Sequence, residues 1–205
     1  MAGTTAGEEP VSTSARYLAS GPGAGDAWAA EAAADGRHGT QKIVRAGEAD
    51  APDRVAATLG LGRGARVVER RRIMYLDGVP SELTDTYYPL EIARGTALAG
   101  TAKIRGGAVR LLAELGHAGV RAQEDVAARM PTAGERAALA LDEGEPVLEL
   151  FRLTLGADGR PVQADLMVMP PRARRLRYEI GIGPGTGTGP GTGTGPGIGT
   201  GTGTG

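Results

Sequence analysis

The sequence contains no cysteine, which excludes disulfides, thiol catalysis and cysteine-bound metals. Its two histidines, His38 and His117, lie in loop-like sequence without a second ligand at metal spacing, so we expect no metal and no cofactor. No apolar run approaches the roughly 18 residues of a transmembrane helix, and the first residues lack the apolar core of a signal peptide. These absences predict a cytoplasmic protein.

Lysine is nearly missing as well. Lys42 and Lys103 are the only lysines among 23 basic residues, and the net charge of −1 gives no global attraction to nucleic acid or anionic lipid. The run "RARRLR", residues 172–177, concentrates four arginines. It fits either a nucleic-acid patch or a solvated strand edge, and the lack of interleaved aromatic residues apart from Tyr178 favours the edge.

The two ends of the chain carry little that can be buried. Residues 181–205 alternate Gly with Thr, Pro or Ile, and residues 1–15 are rich in Gly, Thr, Ser and Glu. Such segments lose much backbone entropy on folding and have little apolar surface to offset it, which predicts disorder. Residues 16–180 remain, a length that suits one domain with a single core.

Hydrophobic periodicity and turn residues predict an α+β domain. The predicted helices are 26–35, 52–59, 107–115 and 132–141, and Thr132 with Glu135 has the spacing of a capping box. The predicted strands are 40–45, 67–76, 81–88, 122–130, 147–155, 162–169 and 175–180. Because the strands come in hairpins and not in strand-helix-strand crossovers, we expect an antiparallel sheet with packed helices.

Two of the hairpins follow the same template. "DGVPSELTDTYYP" spans 77–89 and "DGRPVQADLMVMP" spans 158–170. Each begins with Asp-Gly, then any residue, Pro, any residue, and Glu or Gln. Asp-Gly between apolar runs is a strong hairpin signal, so the chain is predicted to form this unit twice.

Polar residues fall on one face of each return strand. Because alternate residues of a strand share a face, Glu82, Thr84 and Thr86 lie together. In the second copy, Gln163 and Asp165 match Glu82 and Thr84. Both hairpins are therefore predicted to present polar groups near the start of the return strand.

Arginines on the outgoing strands extend this pattern. Arg70 and Arg72 share a face, and Arg152, displaced by one residue, is their counterpart and a better candidate for a structural role. One interpretation is a solvated outer face with Arg70 and Arg72 paired to Glu69 or Asp85. The other is a polar cavity between the hairpins that binds a small polar molecule through guanidinium and carboxylate groups.

Four segments together resemble a known family. They are "VVERRRIMYLDGVPSELTDTYYP", the helix "IRGGAVRLLAELG", the strand "AQEDVAARMP" and "PVLELFRLTLGADGRPVQADLMVMP". Over residues 16–180 the chain resembles the UTRA effector-binding domain of the HutC-type branch of the GntR transcription regulators. The resemblance implies a chorismate-lyase-like α+β fold, a sheet-lined pocket for a small polar metabolite, and dimerisation with itself or with a related regulator.

The resemblance also implies effector-binding residues. The family has an Arg-x-Arg on the first hairpin strand, a Glu ten residues after the second Arg, a Ser or Thr on the return strand and an acceptor on the second hairpin. Carried onto this sequence, the set is Arg70, Arg72, Glu82, Thr86, Gln163 and the nearby Asp165.

Two departures from the family pattern stand out. Gly107 occupies the place of a Ser that helps hold an anion in many relatives, which weakens the expectation of a sugar phosphate. Family members begin with a winged helix, which the residues before "ARYL" do not resemble. We therefore expect DNA to be bound only through a winged-helix domain absent from this sequence, and we expect no enzyme. A chorismate-lyase-like enzyme and a module that only dimerises are the alternatives.

Overall fold

The computed structural model describes residues 11–12 and 27–178. Its strands are β1 (Val11–Ser12), β2 (Gly39–Asp50), β3 (Arg66–Leu76), β4 (Val79–Pro89), β5 (Gly119–Arg129), β6 (Val147–Gly156), β7 (Pro161–Met169) and β8 (Arg175–Leu176). Its helices are α1 (Ala27–Ala34), α2 (Asp53–Thr58), α3 (Leu90–Ala93), α4 (Gly107–Glu114) and α5 (Ala133–Leu139), with a 3₁₀ turn at Ala97–Ala99. The predicted tail 181–205 lies outside the described residues, as does the predicted segment 1–15 apart from β1.

The centre of the fold is a six-stranded sheet in the order β2-β3-β4-β7-β6-β5. Every neighbouring pair in it is antiparallel, which confirms the predicted fold class. The duplicated hairpins β3–β4 and β6–β7 occupy the four central positions and meet where β4 pairs with β7. The two copies of the template therefore lie side by side in the middle of the sheet.

The same Asp-Gly dipeptide makes two different turns. In the first hairpin, Asp77 and Gly78 form the whole loop, with φ values of 52° and 81°. Positive φ at both central residues is what a two-residue type I′ turn requires. In the second hairpin the loop is longer, and Asp158 accepts a hydrogen bond from the backbone N–H of Arg160 at 3.0 Å.

Helices α2 and α5 cover one face of the sheet, which we call the back face. Helix α2 and its flanks pack on one apolar cluster of this face, made of Ala51, Val55, Ala56, Leu59, Val67, Tyr87, Phe151 and Ala164. Helix α5 packs on a second, made of Leu139, Leu141, Val147 and Val168. The back face therefore holds a large part of the apolar core.

The opposite face is covered only around its periphery, and we call it the site face. At one end Val68 and Tyr88 pack under α3, the 3₁₀ turn and α4. At the other end Met74 and Leu76 pack against Trp28 and Ala32 of α1. Leu150, Met167 and Met169 form a third apolar patch with Leu176. Between these patches the site face is polar.

Local signals in the helices behave largely as predicted. The capping box of α5 is confirmed, with the Thr132 hydroxyl bonded to the N–H of Glu135 and the Glu135 carboxylate bonded to the N–H of Thr132. In α4, Leu112 is buried, while Leu115 caps the helix and is 39% exposed. No helix of residues 27–178 is long and apolar enough to cross a membrane.

Candidate functional site

A row of polar side chains crosses five strands of the site face. Register pairs join Arg70 on β3 to Thr86 on β4, Thr86 to Asp165 on β7, Asp165 to Arg152 on β6, and Arg152 to Glu124 on β5. The first four residues are all at most 5% exposed. Because residues directly opposite in an antiparallel pair point to the same face, their side chains stand in one line. We call this line the polar row.

The centre of the row is a hydrogen-bonded cluster shared by the two hairpins. The Thr86 hydroxyl donates to Asp165 Oδ1 at 2.7 Å, and Gln163 Nε2 donates to Asp165 Oδ2 at 2.7 Å. Arg72 donates from its terminal NH2 group to the Thr86 hydroxyl at 3.1 Å. A buried carboxylate needs such donors, because leaving it without partners is costly. Four of the six predicted effector residues therefore form one cluster.

Thr154 extends the cluster along β6. It lies opposite Gln163 in the register and is 6% exposed. Its Oγ1 atom is buried without a hydrogen-bond partner among the described residues. A buried hydroxyl in that state costs about 1–3 kcal/mol, so a group that bonded to it would be favoured there.

Arg70 directs its guanidinium to the protein backbone. The NH1 group donates to the carbonyls of Ala97 and Leu98, both at 3.1 Å, and to that of Gly100, while NH2 donates to Ala102 at 3.3 Å. Burial is the main reason that the pKa of Arg70 lies below its ordinary value. These hydrogen bonds hold residues 97–102 over the site face, so Arg70 fixes the position of that segment.

Glu82 lies at a separate corner of the site face. It accepts a hydrogen bond from Thr84 at 2.5 Å and an ion pair from Arg174 NH1 at 3.0 Å. The other terminal nitrogen of Arg174 lies 3.2 Å from Glu31, and its guanidinium carbon lies 4.5 Å from the centre of the Trp28 ring. Two carboxylates and an aromatic ring thus converge on one guanidinium group.

The β5 end of the polar row carries a third ionic group. Arg152 Nε donates to Glu124 Oε1 at 2.6 Å, and the side chains are 6% and 10% exposed. The Tyr178 hydroxyl donates to Glu124 Oε2 at 3.2 Å. Burial and the neighbouring Glu124 charge raise the pKa of Tyr178. Arg152, expected to be structural, is therefore paired within the polar row.

The solvated-face interpretation of the sequence is wrong in its pairings. Arg71, the residue between the two predicted arginines, lies on the back face and makes two 2.7 Å hydrogen bonds to Asp85. It also lies 3.6 Å from Glu69. The partners suggested for Arg70 and Arg72 thus belong to Arg71, because alternation sends Arg71 to the other side of the sheet.

Three residues of the site were not predicted from the sequence. Arg174 was assigned to a solvated strand edge, yet its side chain is only 10% exposed and contacts Glu82. Glu124 and Thr154 carried no motif, and only their register positions beside Arg152 and Gln163 place them here. A prediction of the full strand order could have found Glu124 and Thr154, but the local sequence gives no signal for Arg174.

The described residues contain no group of three or more histidine, acidic or cysteine side chains that could hold a metal ion. The polar side chains of the site face are arginine, carboxylate, amide and hydroxyl groups, which act by hydrogen bonding and charge pairing.

The model of the UTRA domain family matches residues 34–174, which include every strand of the six-stranded sheet. The chain belongs to the UTRA domain family. A curated relative, an uncharacterised HTH-type transcriptional regulator of Streptomyces coelicolor, is 37% identical over 113 residues, which are 53% of this chain and 42% of that protein. This UTRA chain thus aligns to less than half of that regulator's length.

Solved structures agree with the family. The effector domain of PhnF from Mycobacterium smegmatis matches with a TM-score of 0.65 and 22% identity, covering 76% of this chain and 94% of that one. The C-terminal domain of the histidine utilization repressor from Pseudomonas syringae matches with a TM-score of 0.56 and 22% identity, covering 71% and 100%. At these identities the similarity establishes the UTRA fold.

Family and fold together place a UTRA domain at residues 34–174, with the fold of solved effector domains such as that of PhnF. Effector-binding domains of GntR-type regulators bind small molecules and dimerise.

Proposed function

We propose that the site face binds a small polar metabolite and that the cluster Arg72–Thr86–Asp165–Gln163 is the centre of the effector site. The observation that carries the proposal is the 2.7 Å hydrogen bond from Thr86 to Asp165, which joins the two duplicated hairpins through buried polar groups. Polar groups buried at the centre of a sheet cost free energy unless they are hydrogen-bonded, and an effector would add hydrogen bonds to them. Glu82 forms one corner of the site, and Arg70 holds residues 97–102 at another.

The groups present favour a ligand rich in hydrogen-bonding atoms. Arg72 offers planar guanidinium donors that suit carboxylate or other oxygen-rich groups. Asp165 and Glu82 accept from hydroxyls or amines, and the Thr154 hydroxyl is a further buried partner. Apolar side chains of Tyr88, Met167 and Leu150 flank the polar groups and give a ligand apolar walls.

We propose that the UTRA domain serves a GntR/HutC-type transcription regulator, in which effector binding would favour one geometry of a dimer and so change affinity for DNA. Coupling of this kind is typically worth about 1–3 kcal/mol. We propose that the partner is a second copy or a related regulator, that DNA is contacted through a winged-helix domain, and that the protein acts in the cytoplasm.

A thermal-shift screen of sugar phosphates, amino acids and carboxylates tests the effector site. A ligand that binds the folded protein raises Tm, because it stabilises that state by RT ln(1 + L/Kd), where L is the free ligand concentration. We expect Arg72→Ala to abolish the shift given by the best ligand. Arg71→Ala is the matched control, because it removes the neighbouring arginine from the back face and should leave the shift intact.

Two results would refute the assignment. One is an Arg72→Ala protein that keeps the full ligand shift. The other is equal loss of the shift in both variants, which would mean that lowered stability and not the site is responsible. A screen without any ligand shift would favour the module that only dimerises.

A further inference from the structure

Residues 171–178 form a turn at 171–173 followed by a non-helical stretch that includes β8, and we call this segment, which lies against the site face, the strap. Alternate side chains of the strap contact the body of the domain. Arg172 pairs with Glu145, Arg174 with Glu82, Leu176 joins the patch of Leu150 and Met167, and Tyr178 donates to Glu124. Within the described residues, β8 of the strap pairs with β1 alone and with no strand of the six-stranded sheet. Side chains, not a backbone ladder, therefore hold the strap to the sheet.

Arg174 provides the most buried polar contact of the strap. Its guanidinium is placed between Glu31 at 3.2 Å and Glu82 at 3.0 Å, against the Trp28 ring at 4.5 Å. The two carboxylate side chains are 15% and 7% exposed. An aromatic face with two buried carboxylates is a strong environment for a planar cation, because cation–π attraction and charge-assisted hydrogen bonds act together.

We propose that Trp28, Glu31 and Glu82 form a cation subsite of the effector site, which Arg174 occupies in cis. An effector that carries a guanidinium or ammonium group takes the place of Arg174 and releases the strap. This inference rests on the proposed function, because Glu82 belongs to both sites. The ligand class it names is a polar metabolite with a cationic end that reaches Glu82 and an oxygen-rich end that reaches Arg72.

Because Arg174 is tethered to the domain, only some ligands can displace it from the cation subsite. A side chain tethered by a short segment acts at an effective concentration on the order of millimolar, so a simple free cation competes poorly with it. An effector that also bonds Arg72 and Gln163 gains binding free energy that the simple cation lacks. Small cations therefore do not displace Arg174, whereas a ligand that contacts both the cation subsite and Arg72 does.

Release of the strap has a structural consequence at the beginning of the chain. Strand β8 pairs in parallel with β1, Val11 opposite Arg175 and Ser12 opposite Leu176. A strap that leaves the site face carries its partner strand with it or breaks the pairing. Occupancy of the cation subsite is thereby linked to the segment that precedes the domain.

The test uses methylguanidinium as the probe and Tm of the full chain as the readout. We expect Arg174→Ala to open the subsite, so that low-millimolar methylguanidinium chloride raises its Tm by about 2–4 °C at several times the Kd, relative to equal sodium chloride. The wild type and Arg177→Ala should show no rise. Arg177→Ala is the matched control, since it removes an exposed arginine of the same strap.

Further variants keep the outcome decisive. Adding Glu82→Gln to Arg174→Ala should remove the response. The proposal is overturned if Arg174→Ala responds no more than Arg177→Ala, or if the double variant keeps the full response. If Arg174→Ala does not fold, the test is instead a comparison of amide hydrogen exchange between the Glu82→Gln variant and the wild type. We then expect faster exchange across residues 172–178 and at β1 than in the wild type, with Glu114→Gln on α4 as the control. Unchanged exchange in the strap would equally overturn it.

Failure here is separable from failure of the effector site. If Arg72→Ala abolishes a ligand shift while Arg174→Ala ignores methylguanidinium, the effector site stands and the cation subsite does not. If methylguanidinium stabilises Arg174→Ala but no ligand shift depends on Arg72, the subsite stands and the central cluster is not the effector site.

Discussion

Replacing Thr86 by Val tests the link between the two hairpins with almost no change of shape. The Thr86 hydroxyl donates to Asp165 at 2.7 Å and accepts from Arg72 at 3.1 Å, and the residue is 1% exposed. A hydrogen bond to a charged group contributes about 1.5–3 kcal/mol, and Thr86→Val removes two of them. Since the charged partners retain other contacts, we expect a loss of about 2–4 kcal/mol in the free energy of unfolding. For a domain of this size that lowers Tm by roughly 4–16 °C.

Urea denaturation of the wild type and Thr86→Val measures this difference directly. Thr58→Val is the matched control, because its hydroxyl donates only to the Arg54 carbonyl on the surface of α2. We expect that control to stay within about 0.5 kcal/mol of the wild type. Thr86→Ser keeps the hydroxyl and should recover most of the loss. If Thr86→Val costs no more than Thr58→Val, the buried cluster does not join the hairpins and the reasoning fails.

Two further predictions concern stability away from the site. A hydrogen bond from Arg129 is the main cause that lowers the pKa of Glu135 from 4.5 to about 2. The stabilisation of the folded state by ionised Glu135 is therefore fully present above pH 4.5 and is lost as pH falls towards 2. The Tm advantage of the wild type over Glu135→Gln, which keeps the capping box, should therefore shrink between pH 5 and pH 2; a constant difference would contradict it. At Gly78, where φ is +81° and a Cβ would meet nothing within 4 Å, Ala costs about 1–2 kcal/mol by backbone strain alone. Gly134→Ala in α5, equally open but with ordinary helical φ, should instead stabilise by about 0.4–1 kcal/mol, and equal urea midpoints would contradict both values.

The duplicated hairpins were predictable because their signals are local. Asp77-Gly78 and Asp158-Gly159 mark the turns, and strand alternation then fixes which polar residues share a face. Alternation predicts that Thr86 shares a face of β4 with Glu82 and Thr84, and that Gln163 shares a face of β7 with Asp165; the pairing of β4 with β7 then brings these two faces together. Whether they contact an effector is a separate question, which the Arg72→Ala experiment addresses.

The function of each arginine was not predictable because it depends on contacts distant in sequence. Arg70, Arg71 and Arg72 are adjacent and chemically identical, yet one holds backbone carbonyls, one pairs on the back face and one joins Thr86. Arg174 contacts Glu82 at a separation of 92 residues, inside a run whose composition predicts solvent exposure. No local pattern encodes such long-range partners, since the strap has no ladder to the sheet that would fix its register.

The site face suits the proposed effector sensor because its buried carboxylates already have hydrogen-bond or ion-pair partners inside the protein. Asp165 is bonded by Thr86 and Gln163, Glu124 by Arg152, and Glu82 by Arg174. A ligand that binds here must replace an internal partner with one of its own groups. The net free energy of binding is therefore a difference between two similar terms. Two of these side chains reach segments outside the sheet, since Arg70 holds residues 97–102 and Arg174 belongs to the strap. If the proposed effector exchanges these contacts, it would move those segments, and a small difference in affinity is enough to shift a two-state equilibrium between them.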